Sequence, residues 1–170
     1  MIYIILFLII LIVFYKIFSF RITTYFLEKR ISEIQPSVIE FLNNRKKERE
    51  ETLKKFNEND LVVKMFEKSS QEIVENIEDI KKDLYLVNNC EIVKLNWLKM
   101  KGGKKDKVES EVSLCFLKYL ECLDRLRRLS HIDVSVLPQG AQQEHINRIF
   151  ETLREKEKLY EIFDYVINKK

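Results

Sequence analysis

Two residues near the middle of the chain have the types and spacing to do chemistry. Arg125 and His131 bracket the run Arg125-Leu126-Arg127-Arg128-Leu129-Ser130-His131. Histidine titrates near neutral pH and can both take and return a proton. A planar guanidinium suits the negative charge that builds on a phosphorane. Cleaving a phosphodiester with its own 2′-hydroxyl needs such a proton acceptor and donor and such a cation. On an unbroken helix, six residues turn a side chain by about 600°, which leaves the two about 120° apart. They converge only if the helix ends before His131 or if a second subunit supplies the partner. The competing reading places His131 as a cation against the negative C-terminal end of the helix dipole. Arg125, Arg127 and Arg128 then form a solvated or interface face.

The rest of the sequence offers little chemistry. His145 stands near the start of the last expected helix, where a charged imidazole is unfavourable, and is expected to be neutral and surface-exposed. No HExxH, paired CxxC, GxGxxG, Walker loop or GxSxG pattern occurs. Gly102-Gly103-Lys104-Lys105 lacks the spaced glycines and the Ser or Thr of a phosphate loop and reads as a solvated turn. Cys90, Cys115 and Cys122 match neither a disulfide framework nor a zinc site, and agree with a reducing compartment. Neither a metal nor another cofactor is expected.

The elements that must position these residues are helical. The chain of 170 residues has three glycines and two prolines, too few for the turns of an all-β or βαβ fold. Its 30 basic and 27 acidic residues leave a net charge of +3, which gives no electrostatic footprint for duplex DNA and no support for RNA as a partner. From Ile2 to Tyr15 every residue is apolar; Lys16 follows, then Ile17 to Phe20, and Arg21 closes the run. Ile2 to Phe20 spans about 28 Å as a helix, close to the ~30 Å hydrocarbon core, if Lys16 snorkels to the headgroups. A cleaved signal peptide would need a basic start and a small-residue cleavage site. Nothing basic precedes the run, and Ser19-Phe20-Arg21-Ile22 is a poor cleavage context. A buried core helix is the other alternative. Lys16, Arg21, Lys29 and Arg30 lie on the C-terminal side only, which by the positive-inside rule predicts an N-terminus outside and a cytoplasmic body.

Three regions are expected: an anchor over 1–21, juxtamembrane helices over 22–57 and a helical bundle over 58–170. Within them, a helix over 21–35 should end, kink or restart at Pro36, and a second starts with Val38, Phe41 and Leu42 and turns polar towards Lys55. Asn57 to Asp60 reads as a turn with Asp60 as N-cap. A long helix from Leu61 carries a heptad-like seam of Phe66, Ser70, Ile73, Ile77, Ile80, Leu84 and Val87, which suits a bundle core or a subunit interface. Asn88-Asn89 interrupts it before a helix from Cys90 to Met100. After the loop Lys101–Lys107, the wide apolar face of Val108–Ser130 marks a central helix. Asp133–Gln139, with Pro138, is a second loop. The last helix, Ala141–Asn168, sets Ile146, Ile149, Phe150, Leu153, Tyr160, Phe163 and Ile167 to one side.

Arg125 and His131, near the end of a central bundle helix, resemble the signature of HEPN domains. In that family a pair doubled across a dimer cleaves RNA without metal; Leu126 departs from the polar residue usual after the arginine. The N-terminal anchor, all-helical body and divergent motif together resemble the small membrane accessory protein of type VI-B CRISPR systems. The resemblance implies an all-α fold, with a transmembrane helix followed by a four- to five-helix HEPN-like bundle. It also implies a homo-oligomeric pore in the bacterial inner membrane, which depolarises that membrane once an RNA-guided, RNA-targeting effector is triggered. Its partners would be further copies of the chain, the bilayer and, functionally, the effector. The pore-lining candidates are Ile9 and Ile12 in a hydrophobic neck, with Lys16, Ser19 and Thr23 on one face as a cationic vestibule. Ordinary snorkelling of Lys16 beside incidental hydroxyls is the plainer reading of the same stripe. The alternatives to a pore are a membrane-tethered HEPN-type ribonuclease and a non-conducting scaffold or regulator.

Overall fold

A computed structural model describes residues 2–57 and 67–169. Among the described residues the chain forms five α-helices and no strand: α1 (Ile2–Asn57), α2 (Glu67–Asn88), α3 (Cys90–Lys101), α4 (Lys105–Ser130) and α5 (Gln139–Asn168). The expected turn through Asp60, the helix start at Leu61 and Phe66 lie outside the described residues, as do the side chains of Ser70 and Ile73.

Contacts divide the chain into two compact units. One comprises residues 1–34 with 91–170, and the other residues 35–90. In the smaller unit, α1 from Gln35 packs on α2. Val38 and Leu42 are buried there, as are Ile77, Ile80, Leu84, Leu86 and Val87. The described part of the expected seam is therefore core. Gln35 donates from Nε2 to the Val87 carbonyl at 2.8 Å near the end of α2. Asn88 closes α2 and Asn89 forms the turn, its amide donating to the Tyr85 carbonyl at 3.0 Å.

In the larger unit α4 is central. It buries Val108, Val112, Ser113, Phe116, Leu117, Tyr119, Leu120, Cys122 and Leu123. Phe163 of α5 is fully buried, with ring centroids 5.7 Å from Tyr119 and 6.2 Å from both Phe116 and Trp97. Asp106 in the first turn of α4 and Arg127 and Arg128 in its last turn match the helix dipole. Asp124 accepts from Arg127 at 2.7 Å and from Arg128 at 3.0 Å. The second loop is tightened by a single 3-10 turn (Val134–Val136), with Asp133 accepting from the Ser135 amide at 2.9 Å. Those hydrogen bonds hold the Asp133 carboxyl below the usual aspartate range.

Three expectations are corrected. Pro36 neither ends nor restarts the helix, since α1 runs through it without interruption. Proline removes one amide donor, but Ile31 and Ile34 are buried in one unit and Val38 and Leu42 in the other, so the helix is held on both sides. His145 is buried, 7% exposed, rather than on the surface. The reason is the roll of α5. Its buried line is His145, Thr152, Lys156, Phe163 and Val166, a stripe that includes three polar residues and that apolar spacing cannot pick out. Ile146, Phe150 and Leu153, expected on the apolar side, are exposed.

Candidate membrane-anchoring site

The first part of α1 is long and apolar enough to cross a membrane, and none of that stretch is buried within the protein. From Tyr3 to Tyr15 every large apolar side chain is at least half exposed. Ile9 and Ile12 share this exposure with Ile5 and Leu8, so within one chain no side of the segment is set apart from the rest. Phe14 and Phe18 stack at 4.7 Å.

Lys16, Ser19 and Thr23 fall on one helical face, as their spacing requires. The hydroxyls bond within the helix: Ser19 Oγ donates to the Lys16 carbonyl at 3.3 Å, and Thr23 Oγ1 to the Ser19 carbonyl at 2.8 Å. Thr24 Oγ1 does the same with Phe20 at 2.8 Å. These donors are thus satisfied without water or a partner chain, which makes them tolerable in hydrocarbon.

The body takes hold of α1 immediately after the apolar run. Arg21 Nε meets Asp106 Oδ2 at 3.3 Å, at the start of α4. Two helical turns later, Glu28 accepts from Lys94 Nζ on both carboxylate oxygens at 2.7 Å and from Ser113 Oγ at 2.6 Å. Lys94 also reaches Glu91 at 3.1 Å. Burial pulls the Lys94 ammonium down, but the hydrogen bonds and charges of Glu28 and Glu91 outweigh it and raise its pKa. Sequence reasoning missed this group. Its members are 66 and 85 residues apart, and no local spacing announces a pair at that distance.

Helix α4 ends at Ser130 and His131 is its exposed C-cap residue. Arg125 instead pairs with Glu155 of α5 at 3.2 Å, and both side chains are half exposed. Cys122 is buried beside that pair. Burial first, and then Glu155, push its thiol up to about 11, so it is a protonated, unreactive thiol at neutral pH. Among the described residues no group of three or more His, Cys, Asp or Glu is placed to hold a metal ion. Comparison with known proteins gives no match for this chain, whether to a protein-family model, a curated protein or a solved structure.

Proposed function

We propose that this protein is a single-pass membrane accessory of RNA-guided antiviral defence. Its N-terminus lies outside the bacterial inner membrane and its helical body in the cytoplasm. Copies assemble into a pore that depolarises the membrane when an RNA-targeting effector is activated. The observation that carries the anchor is the apolar stretch of α1, exposed on all sides while the same helix is gripped by the body from Arg21 onward. Such a surface is stable in lipid or against further copies of itself, not in water. The asymmetry of Lys16, Arg21, Lys29 and Arg30 supports the orientation. The defence setting rests on the resemblance carried by Arg125, His131 and the architecture, and conduction on the stripe of Lys16, Ser19 and Thr23.

A second reading, a non-conducting scaffold, is favoured by one observation. The hydroxyls of Ser19 and Thr23 are bonded within their own helix and demand no water-filled lumen.

The test is the mass of the full-length particle in detergent, together with a voltage-sensitive dye in cells carrying a triggered RNA-targeting effector. A ring-sized particle and depolarisation are expected. A monomer or dimer with unchanged potential overturns the pore and leaves the scaffold. RNA cleavage by purified protein that is lost in His131→Ala would establish the ribonuclease.

A further inference from the structure

The turn between α3 and α4 is the most basic short segment of the chain. Residues 99–107 hold five lysines and one aspartate. Only three residues, Gly102 to Lys104, separate the two helices. Gly102 makes the reversal at φ +56°, a left-handed conformation that strains any other residue. Its amide donates to the Leu98 carbonyl at 3.3 Å. The turn is therefore tight, and its lysines are displayed at a defined place.

That place is set by α1. Arg21 contacts Asp106, and Glu28 contacts Ser113, at the same separation of 85 residues. Seven residues along α1 correspond to seven along α4, so the two helices run side by side in the same direction. The start of α4 lies level with Arg21, the residue that closes the apolar run, and α4 leads away from that run. The α3–α4 turn thus sits where headgroups would begin if the run spans a bilayer.

Charge at this level is free to act. The one carboxylate of the turn, Asp106, is occupied by Arg21. Lys101 makes a loose pair with Glu111 at 3.6 Å and lies over the Trp97 ring, 6.0 Å from its centroid, and Lys105 makes a loose pair with Glu109 at 3.6 Å. Exposed pairs of this kind are weak and exchange readily for another anion. Among the described residues, Lys104 and Lys107 form no ion pair. On the cytoplasmic side the facing leaflet is anionic.

We propose that the α3–α4 turn, through Lys101, Lys104, Lys105 and Lys107, docks on anionic lipid headgroups beside Arg21 and fixes the body against the membrane surface. This rests on the membrane reading of α1, and its test separates the two. The full chain is reconstituted in phosphatidylcholine vesicles with and without phosphatidylglycerol. Each lysine is then acylated at low and raised salt and quantified by mass spectrometry. Lys118 is the internal reference, since it lies about 18 Å further along α4 than Asp106, beyond the ~10 Å Debye length. With phosphatidylglycerol at low salt, acylation of Lys104 and Lys107 falls roughly fivefold, the factor set by ~1 kcal/mol per lysine at an anionic surface. It recovers as salt is raised, while Lys118 is unchanged. Equal acylation in both vesicles overturns the docking, as does equal protection by inorganic phosphate added to phosphatidylcholine vesicles. Vesicle flotation after an alkaline wash reads the anchor itself. Protein that floats but shows no lipid-dependent protection defeats only this inference, whereas protein that fails to float defeats the membrane reading as well.

Discussion

Lys94 closes on both carboxylate oxygens of Glu28 at 2.7 Å, and the two partners are unequally exposed. The lysine side chain is 12% exposed and the glutamate 40%. Removing either partner therefore strands a different group. Glu28→Ala leaves an ammonium largely cut off from water, with Glu91 still in reach. Lys94→Met leaves a carboxylate that water still reaches and that Ser113 still serves. Glu28→Ala should cost about 2–3 kcal/mol and Lys94→Met about 1 kcal/mol, by the general cost of unsatisfied charged groups. Denaturant unfolding followed by the fluorescence of Trp97, the only tryptophan, reads both. The reverse order would contradict the assigned burial.

Alkaline pH should destabilise the larger unit in two stages. Cys122 has its pKa raised to about 11 in the folded chain. Its contribution is complete below the unfolded thiol value of ~8.5 and is lost as pH rises from there towards 11. Lys94 is also raised, so its contribution is complete below the unfolded lysine value of ~10.4 and is lost above it. Melting temperature against pH should fall through both windows. Cys122→Ala should remove the earlier decline and keep the later one.

Phe163 is the side chain on which Trp97, Phe116 and Tyr119 converge. Phe163→Ala should cost about 3–5 kcal/mol. Phe150→Ser, on the exposed side of the same helix at 62% exposure, should stay within about 0.5 kcal/mol. Comparable losses at both positions would mean that α5 turns a different face to the core.

The Trp97 indole is 4% exposed, and its Nε1 has no hydrogen-bond partner among the described residues. Trp97→Phe removes an unsatisfied donor along with some packing. The two effects oppose each other, so the net cost should be below about 1.5 kcal/mol. Chemical denaturation followed by circular dichroism checks this.

Arg125→Ala and His131→Ala should each change stability by less than about 1 kcal/mol, because one breaks a half-exposed ion pair and the other alters an exposed cap residue. Under the proposed defence role, loss of antiviral protection in either variant with melting unchanged would locate the motif's role in assembly or recognition rather than in folding.

What the sequence discloses is what depends on neighbours along the chain. The apolar run to Tyr15, the break at Asn88-Asn89 and the wide face of α4 are all local patterns, and all three recur in the fold. Pro36 misled because its helix-breaking cost is local, while the burial that offsets it on either side is tertiary. His145, Thr152 and Lys156 escaped because a buried stripe containing polar groups has no hydropathy signature. Glu28, Lys94 and Ser113 were invisible for a related reason: a charge cluster assembled from three helices leaves no spacing to read. For the Arg125–His131 motif, sequence gave the residues and the end of their helix but not Glu155, the partner that α5 brings to Arg125.

The matched contacts of Arg21 with Asp106 and Glu28 with Ser113 tie α1, just beyond its apolar run, to α4 at two points two helical turns apart. A bilayer thinner than the apolar stretch makes such a helix lean. A lean of about 20° would swing the far end of α4, about 39 Å away, sideways by about 13 Å. Were the apolar run to span a bilayer, the thickness of that bilayer would thus reach whatever stands beside the last turn of α4 as a sideways displacement.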